Sequence, residues 1–232
     1  MATDYNPSIV TDGLVLCLDA ANTKSYPGSG TTWTDISGKG YDATLTSSNL
    51  SNGPTFNSDY VGNIVFDGNT NGEEITGVHN SELNLRNDLT VECWFRRTGA
   101  RSDWVRIFGK GDSSNRTYGL WYHVNSNYFL YQRYGGSTMN NLISKSVVLN
   151  TWYHMVGTSS GSAHTLYVNG VNMGTVSISS TFHSTTDPYK VGYGNVHSTH
   201  IGNVSNCRIY NRGLSEAEVK QNYNAHKGRF GL

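Results

Sequence analysis

Aromatic and amide side chains concentrate at positions 112–118, 135–141 and 182–200, and they have the chemistry of a sugar-binding surface. Aromatic rings contact the apolar faces of sugars, while amides and carboxylates bind the hydroxyl groups. The candidate glycan-binding residues are Asp112, Asn115, Tyr118, Trp121, Tyr131, Tyr134, Tyr189 and Tyr193. Those between 118 and 134, with Tyr122 and His123, are predicted to line one face of a sheet. A half-buried sheet face or a protein interface is the alternative, and we favour it from the sequence alone, because Tyr and Trp are typical of interfaces.

Other motifs give little catalytic chemistry. His197 and His200 flank a Ser-Thr pair, but two loop histidines are more often surface residues than zinc ligands, and we expect surface residues here. The sequence contains no Gly-x-Ser-x-Gly elbow, His-Glu-x-x-His motif or phosphate loop.

Composition predicts a β-rich protein with a polar surface. The chain has 232 residues with 26 glycines, 15 tyrosines and only 4 prolines, which suits many short strands joined by tight turns. The net charge is zero, so no nucleic-acid partner is expected. The charge is unevenly distributed, with a net of −9 over residues 1–95 (3 basic, 12 acidic) and +9 over 96–232 (14 basic, 5 acidic). Either these charges interleave in the fold or they pair between subunits of a homo-oligomer.

Three cysteines, Cys17, Cys93 and Cys207, lie in apolar contexts without close pairs. We therefore expect free buried thiols and synthesis in a reducing compartment. The N-terminus lacks the basic and apolar regions of a secretory signal, and no apolar run reaches the ~18 residues that would span a membrane, so no membrane insertion is expected.

Strand and turn signals recur along the whole chain. Asn169–Gly170 between Val168 and Val171 predicts a hairpin with a type I′ turn, which requires positive φ at both central residues. The predicted strands are Gly13–Asp19, Gly62–Phe66, Leu89–Arg97, Val105–Lys110, Tyr118–Val124, Tyr128–Tyr134, Trp152–Thr158, Thr165–Val168, Val171–Ile178 and Asn203–Tyr210. Ser215 and Glu218 form a capping box that opens a helix over about 215–226.

These elements predict an all-β fold, a two-sheet antiparallel β-sandwich (jelly roll) with one short C-terminal helix. We expect one domain over 1–232, with a short N-terminal lead at 1–12. The predicted core contains Leu14, Leu16, Val91, Leu166 and Val168.

Several motifs, in order, resemble the concanavalin A-like, laminin G-like superfamily. They are Trp152-x-His154 with Leu166-Tyr167-Val168-Asn169-Gly170, Phe66-Asp67-Gly68, Leu89–Phe95, Ile107–Gly111 and Arg208–Ser215. The resemblance covers roughly residues 60–225, and it implies the same sandwich, with His154 packed beside the strand Trp94.

The two ends of the chain resemble a narrower group, the virion proteins of tailed, often marine, bacteriophages. The similar segments are Ile9–Asn22, Ser25–Gly38 and Asn222–Gly231. This resemblance implies synthesis in the host bacterial cytoplasm and a place in the virion, which agrees with the missing signal.

The superfamily resemblance also bears on catalysis and metal binding. Related glucanases use paired carboxylates in a Glu-x-Asp-x-x-Glu strand, and none of the six glutamates here has that spacing. Many laminin G-like domains hold calcium at the sandwich rim, which makes Asp67, Asp112 and Asn115 candidates, although turn-forming roles are the plainer interpretation. The acidic residue that usually precedes the closing Arg-Ile-Tyr strand is replaced by Ser205-Asn206-Cys207.

The sequence thus predicts a non-enzymatic virion structural protein, exposed on the phage capsid or tail, with other virion proteins as partners and a cell-surface glycan as a second one. No cofactor is required, and calcium is the candidate metal. A lectin-like carbohydrate-binding module and an unusual glycoside hydrolase are the alternatives.

Overall fold

Two antiparallel β-sheets face each other in the computed structural model, as the strand pattern predicts. It describes residues 8–46, 53–68, 73–99, 104–112, 115–135, 138–145, 147–178, 182–192 and 200–232. The strands are β1 (Leu14–Asp19), β2 (Thr32–Trp33), β3 (Ala43–Thr46), β4 (Thr55–Asn57), β5 (Asn63–Phe66), β6 (Glu74–Gly77), β7 (Leu89–Arg97), β8 (Trp104–Lys110), β9 (Tyr118–His123), β10 (Tyr128–Gly135), β11 (Thr138–Lys145), β12 (Trp152–Ser160), β13 (Ala163–Val168), β14 (Val171–Ser177), β15 (Tyr189–Val191) and β16 (Gly202–Tyr210). All ten predicted strands are confirmed, each within two residues at either end.

Strand order places early and late parts of the chain side by side. The first sheet runs β14-β13-β12-β7-β16-β5-β4, and the second runs β11-β10-β9-β8-β15-β6-β3-β2. In the first sheet, β1 also pairs with β16, beside the half of that strand that β5 does not reach. The central strands β7 and β16 are therefore hydrogen-bonded on both sides.

The core lies between the sheets and follows the predicted alternation. Leu16, Val91 and Leu166 are fully buried there, and Val168 is nearly so, which confirms four of the five predicted core residues. Leu14 is the exception, because it is only partly buried and packs on the opposite side of the first sheet. A register shift between Leu14 and Leu16 explains the change of side, since a bulge re-aims the following side chain.

The Asn169–Gly170 hairpin forms as predicted. Both residues have positive φ, 51° and 74°, which are the backbone angles that a type I′ turn requires. Asn169 also ties the turn to β12, because its backbone N–H donates to the His154 carbonyl (2.8 Å) and its side-chain oxygen accepts from the His154 N–H (2.9 Å).

The predicted C-terminal helix, α1 (Glu216–His226), is confirmed with its capping box. The Glu218 backbone N–H donates to the Ser215 hydroxyl, and the Glu218 carboxylate accepts from the Ser215 N–H at 2.8 Å. The helix buries Val219, Asn222 and His226 against the outer side of the first sheet.

Six strands of the structure were not predicted from the sequence: β2, β3, β4, β6, β11 and β15. Most are only two to four residues long, too short for a readable alternation. The three cysteines are free and buried, as expected. Among the described residues, no helix has the length and apolarity to cross a membrane.

The charge imbalance between the two halves of the sequence is resolved within the fold. Five ion pairs join an acidic residue of 1–95 to a basic residue of 96–232. These pairs are Asp12–Arg212, Asp19–Arg208, Asp19–Arg229, Glu74–Lys190 and Glu92–Arg208. The described part of the chain therefore favours interleaved charges over separate acidic and basic faces.

Candidate functional site

The outer sides of the two sheets differ in how far they are covered. On the first sheet, Glu92, Trp94 and Arg208 point outward yet are almost completely buried beneath α1 and the turn that follows it. On the second sheet, a cluster of arginine and aromatic side chains includes several that remain partly exposed. We call this cluster the arginine–aromatic face, and it consists of Arg106, Arg116, Trp121, Tyr134 and His183.

Two paired glycines make room for this cluster. Gly109 of β8 lies opposite Gly119 of β9, and in the same ladder Arg106 lies opposite Trp121. A Cβ on Gly119 would stand 2.9 Å from the Trp121 indole nitrogen and 3.2 Å from the Arg106 Cδ, so the Trp121 ring and the Arg106 chain occupy the space that a side chain would need.

Cation–π contacts hold the face together. The guanidinium groups of Arg106 and Arg116 lie 5.4 Å and 5.5 Å from the Trp121 ring, and Arg116 is also 5.7 Å from the Tyr134 ring. The His183 ring meets Tyr134 edge-on at 5.4 Å. Trp121 is only 8% exposed, so the part that a ligand can reach is formed by Arg116, Tyr134 and His183.

Three predicted glycan-binding tyrosines are core residues, and for them the prediction is wrong. Tyr118, Tyr131 and Tyr189 are at most 1% exposed and point between the sheets. Their hydroxyls bind the Leu83 carbonyl (3.0 Å), the Ser159 hydroxyl (2.6 Å) and the Tyr41 carbonyl (2.5 Å). Tyr122 is buried as well. Alternate residues of a strand face opposite sides, so these tyrosines cannot share a face with Trp121 and Tyr134.

Two of the remaining candidates, Asp112 and Asn115, lie between β8 and β9 of the second sheet. The Asp112 carboxylate is 3.5 Å from the Lys190 ammonium, which is also 3.1 Å from the Glu74 carboxylate. Asn115 is exposed, and its backbone N–H donates to the Asp112 carbonyl at 2.7 Å. Tyr193 lies outside the described residues, as does His197.

Asp67, a predicted calcium ligand, is exposed and lies beside the buried Glu73 carboxyl. Burial, together with the hydrogen bond and negative charge of Asp67, raises the pKa of Glu73 to about 7. The Gly68 N–H donates to the Glu73 carboxyl at 3.0 Å. Asp112, another predicted calcium ligand, lies beside Lys190 of β15 instead. In the described part of the chain, no three His, Cys, Asp or Glu side chains converge as a metal site.

The histidines have structural surroundings. His200 is completely buried rather than a surface residue; its ring lies against Phe66 and bonds the Tyr122 hydroxyl at 3.1 Å. Burial lowers its pKa to about 4. His154 stacks on Trp94 at 5.1 Å, which confirms its predicted position.

Comparison with protein families matches residues 67–220 to the concanavalin A-like lectin/glucanases superfamily, which is more than half of the chain. The chain belongs to this superfamily. A search of curated proteins gives no match. The superfamily includes both binding and hydrolytic members by name, so membership gives the sandwich and leaves the activity to the site.

Solved structures with similar folds come from longer proteins. The binding domain of Paraclostridial Mosquitocidal Protein 1 is 18% identical with a TM-score of 0.72, over 93% of this chain and 52% of that chain. The botulinum neurotoxin serotype G binding domain is 14% identical with a TM-score of 0.70, over 90% and 50%. Trypanosoma rangeli sialidase is 18% identical with a TM-score of 0.65, over 94% and 33%. The chain thus spans about half or less of these structures, and at such identities the likeness shows the fold alone.

Proposed function

We propose that this protein is a non-enzymatic carbohydrate-binding domain whose ligand lies on the arginine–aromatic face. The observation that carries the proposal is the position of the Arg116 guanidinium between the rings of Trp121 and Tyr134 on a partly exposed sheet face. Guanidinium N–H groups donate to hydroxyl and acidic oxygens, and the Tyr134 and His183 rings offer apolar surface to the C–H face of a sugar. Similar folds in two toxin binding domains support a binding role.

A glycan array and retention on immobilised polysaccharides test this proposal. We expect binding that Arg116→Ala weakens by about tenfold or more, the loss expected for a hydrogen bond from a charged donor, and that Tyr134→Ala weakens through the loss of the aromatic contact with the sugar. Lys24→Ala, which removes an exposed positive charge elsewhere, is the control and should bind normally. Melting curves verify that each variant is folded. The absence of any glycan ligand, or equal binding by all variants, would contradict the proposal.

We further propose that the domain is displayed on the outside of a tailed-phage particle, on the capsid or the tail, with other virion proteins as partners. The support is the resemblance of segments 9–22, 25–38 and 222–231 to virion proteins. Locating the fold in a particle map, together with mass spectrometry of purified particles, tests this placement. A particle that lacks the protein would refute it.

The hydrolase alternative concerns the Asp67–Glu73 pair, because a carboxyl with a raised pKa suits a general acid. Glu73 is only 2% exposed and its carboxyl already accepts the Gly68 N–H, which supports a structural role. Hydrolysis of a β-glucan that is lost in Glu73→Gln or Glu74→Gln would overturn the non-enzymatic proposal. No cofactor is proposed, and Asp67 and Asp112 remain the residues offered for calcium.

A further inference from the structure

A cavity opens at one end of the sandwich, with a volume of about 850 Å³. It is lined by Arg97 at the end of β7, by residues 124–127 of the turn between β9 and β10, and by residues 147–149 that precede β12. We call it the Arg97 pocket. None of its residues belongs to the arginine–aromatic face, and the glycan candidates predicted from the sequence do not include them.

Arg97 lies at the base of the pocket in a fixed position. It continues the inward-facing row of β7 after Phe95, where a charged residue replaces the apolar ones, and it is only 5% exposed. Its Nε donates to the Gly99 carbonyl and its Nη1 to the Asn127 side-chain oxygen, both at 3.0 Å. The guanidinium carbon also lies 5.5 Å from the Tyr122 ring.

The positive charge of Arg97 has no carboxylate partner within ion-pair distance among the residues that the structure describes. A guanidinium has five N–H donors, and only two of them have a partner in this part of the chain. The buried Arg208 lies 2.7 Å from the Glu92 carboxylate, whereas Arg97, like the buried Arg133, donates to neutral oxygens. A nearly buried cation without a counter-charge is costly, and a carboxylate is an anion whose planar geometry matches the guanidinium fork.

The walls of the pocket are polar on one side and apolar on the other. Asn127, held in the left-handed region at φ 54°, and Ser126 provide amide and hydroxyl groups beside Arg97. Val148 and Leu149, which are 56% and 47% exposed, provide the apolar side. The Val147 N–H donates to the Asn127 carbonyl at 3.0 Å and joins the two sides.

We infer that the Arg97 pocket binds the carboxylate of an acidic sugar, a hexuronate or a chemically similar sugar acid. Such a ligand combines a carboxylate for Arg97, hydroxyls for the amide and hydroxyl groups, and a C–H face for the aliphatic wall. The volume is within the range of small-molecule sites. The inference rests on the proposed carbohydrate-binding function, and it names a ligand class and a subsite for it.

NMR titration of the ¹⁵N-labelled full chain with glucuronate, glucose and acetate tests the ligand class. We expect glucuronate to shift the amide signals of 125–127 and 147–149, glucose to leave them unchanged, and acetate to bind at least about tenfold more weakly. Equal affinity for acetate and glucuronate would overturn the assignment to a sugar. No shift with glucuronate would overturn the site.

Two variants test the role of the positive charge. Asn127→Asp places a carboxylate 3.0 Å from the Arg97 Nη1 and should abolish glucuronate binding while the protein stays folded. Arg97→Lys keeps the charge, loses the fork and should weaken binding at least about tenfold. Asn172→Asp, an exposed change of the same type in β14, is the control and should bind like the wild type. Normal binding by a folded Asn127→Asp protein would refute the inference.

Failure of this inference and failure of the proposed function give different results. If the Arg97 pocket is not a sugar site, Asn127→Asp retains its glycan-array ligands while Arg116→Ala loses them. If the arginine–aromatic face is not a sugar site, Arg116→Ala retains both its array ligands and its glucuronate shifts.

Discussion

At the scale of single residues, Glu73 is the carboxyl whose ionisation the fold opposes most clearly. Its pKa rises from 4.5 to about 7 because it is buried and because Asp67 adds a hydrogen bond and a negative charge. Between these two pH values the folded protein binds more protons at this site than the unfolded chain does. The free energy of unfolding contributed by Glu73 therefore falls as the pH rises from about 4.5 to 7.

Replacing Glu73 by Gln should remove this dependence. We expect Glu73→Gln to be more stable than the wild type above pH 7, by about 1–2 kcal/mol after allowance for the exposed Asp67, and close to it below pH 4.5. Urea unfolding across this pH range measures the difference, with the exposed Glu216→Gln as control. Calcium bound at Asp67 would favour the ionised form of Glu73, so the free energy of unfolding of the wild type would fall less between pH 4.5 and 7. Repeating the urea unfolding with calcium therefore tests Asp67 as a calcium ligand. If the free energies of unfolding of Glu73→Gln and the wild type differ by the same amount at every pH, the raised pKa of Glu73 is contradicted.

Part of the candidate face could be predicted from residue spacing alone. Trp121 and Tyr134 share an outward-facing side, as the predicted sheet face requires, but Tyr118 and Tyr131 lie three positions from them and so have opposite parity in their strands. Strict use of the two-residue period would have placed both tyrosines in the core. The roles of Arg106 and Arg116 depend on the pairing of β8 with β9, which no local pattern contains.

At the scale of elements, α1 is attached to the first sheet through a buried charged cluster. The Glu92 carboxylate lies 2.7 Å from the Arg208 guanidinium and accepts from the Asn222 amide of the helix at 2.9 Å. Burial alone would raise the pKa of Glu92, but His154 and Arg208 lower it to about 2. The stabilisation is therefore complete above about pH 4.5 and is lost as the pH falls towards 2.

Removing the negative charge of this cluster should destabilise the protein strongly. Glu92→Gln leaves the almost fully buried Arg208 without its closest carboxylate, and we expect a loss of about 3–5 kcal/mol at pH 7 that shrinks towards pH 2. Asp12→Asn breaks the exposed pair with Arg212 and should cost at most about 1 kcal/mol. Urea unfolding measures the loss of stability in each variant. Equal losses in Glu92→Gln and Asp12→Asn would show that the burial of the Glu92–Arg208 pair does not increase its contribution to stability.

Element prediction succeeded where a local signal exists. The Asn169–Gly170 turn and the Ser215–Glu218 capping box are short motifs whose backbone geometry follows from their own residues. Strands such as β2 and β15, of two and three residues, form because neighbouring strands offer them hydrogen-bonding edges, and that information lies elsewhere in the chain.

At the scale of the whole molecule, the five ion pairs between the two halves of the sequence bear on self-association. They neutralise acidic residues of the first half with basic residues of the second inside one chain, for instance Glu74 with Lys190 at 3.1 Å. We therefore expect sedimentation velocity to show the same species at low and high salt. Association at low salt that disappears at high salt would instead favour pairing between subunits.

The pairing of β1 with β16 also determines when the first sheet can be completed. Leu14 lies opposite Tyr210, so β1, the first strand in the described part of the chain, pairs with β16, which is synthesised much later. During synthesis β1 remains unpaired with β16 until the strands between them have been made. Contacts between residues so far apart in the sequence also slow folding. We therefore expect truncation before residue 202 to leave an incompletely folded, aggregation-prone chain, although most of the strands would already be present.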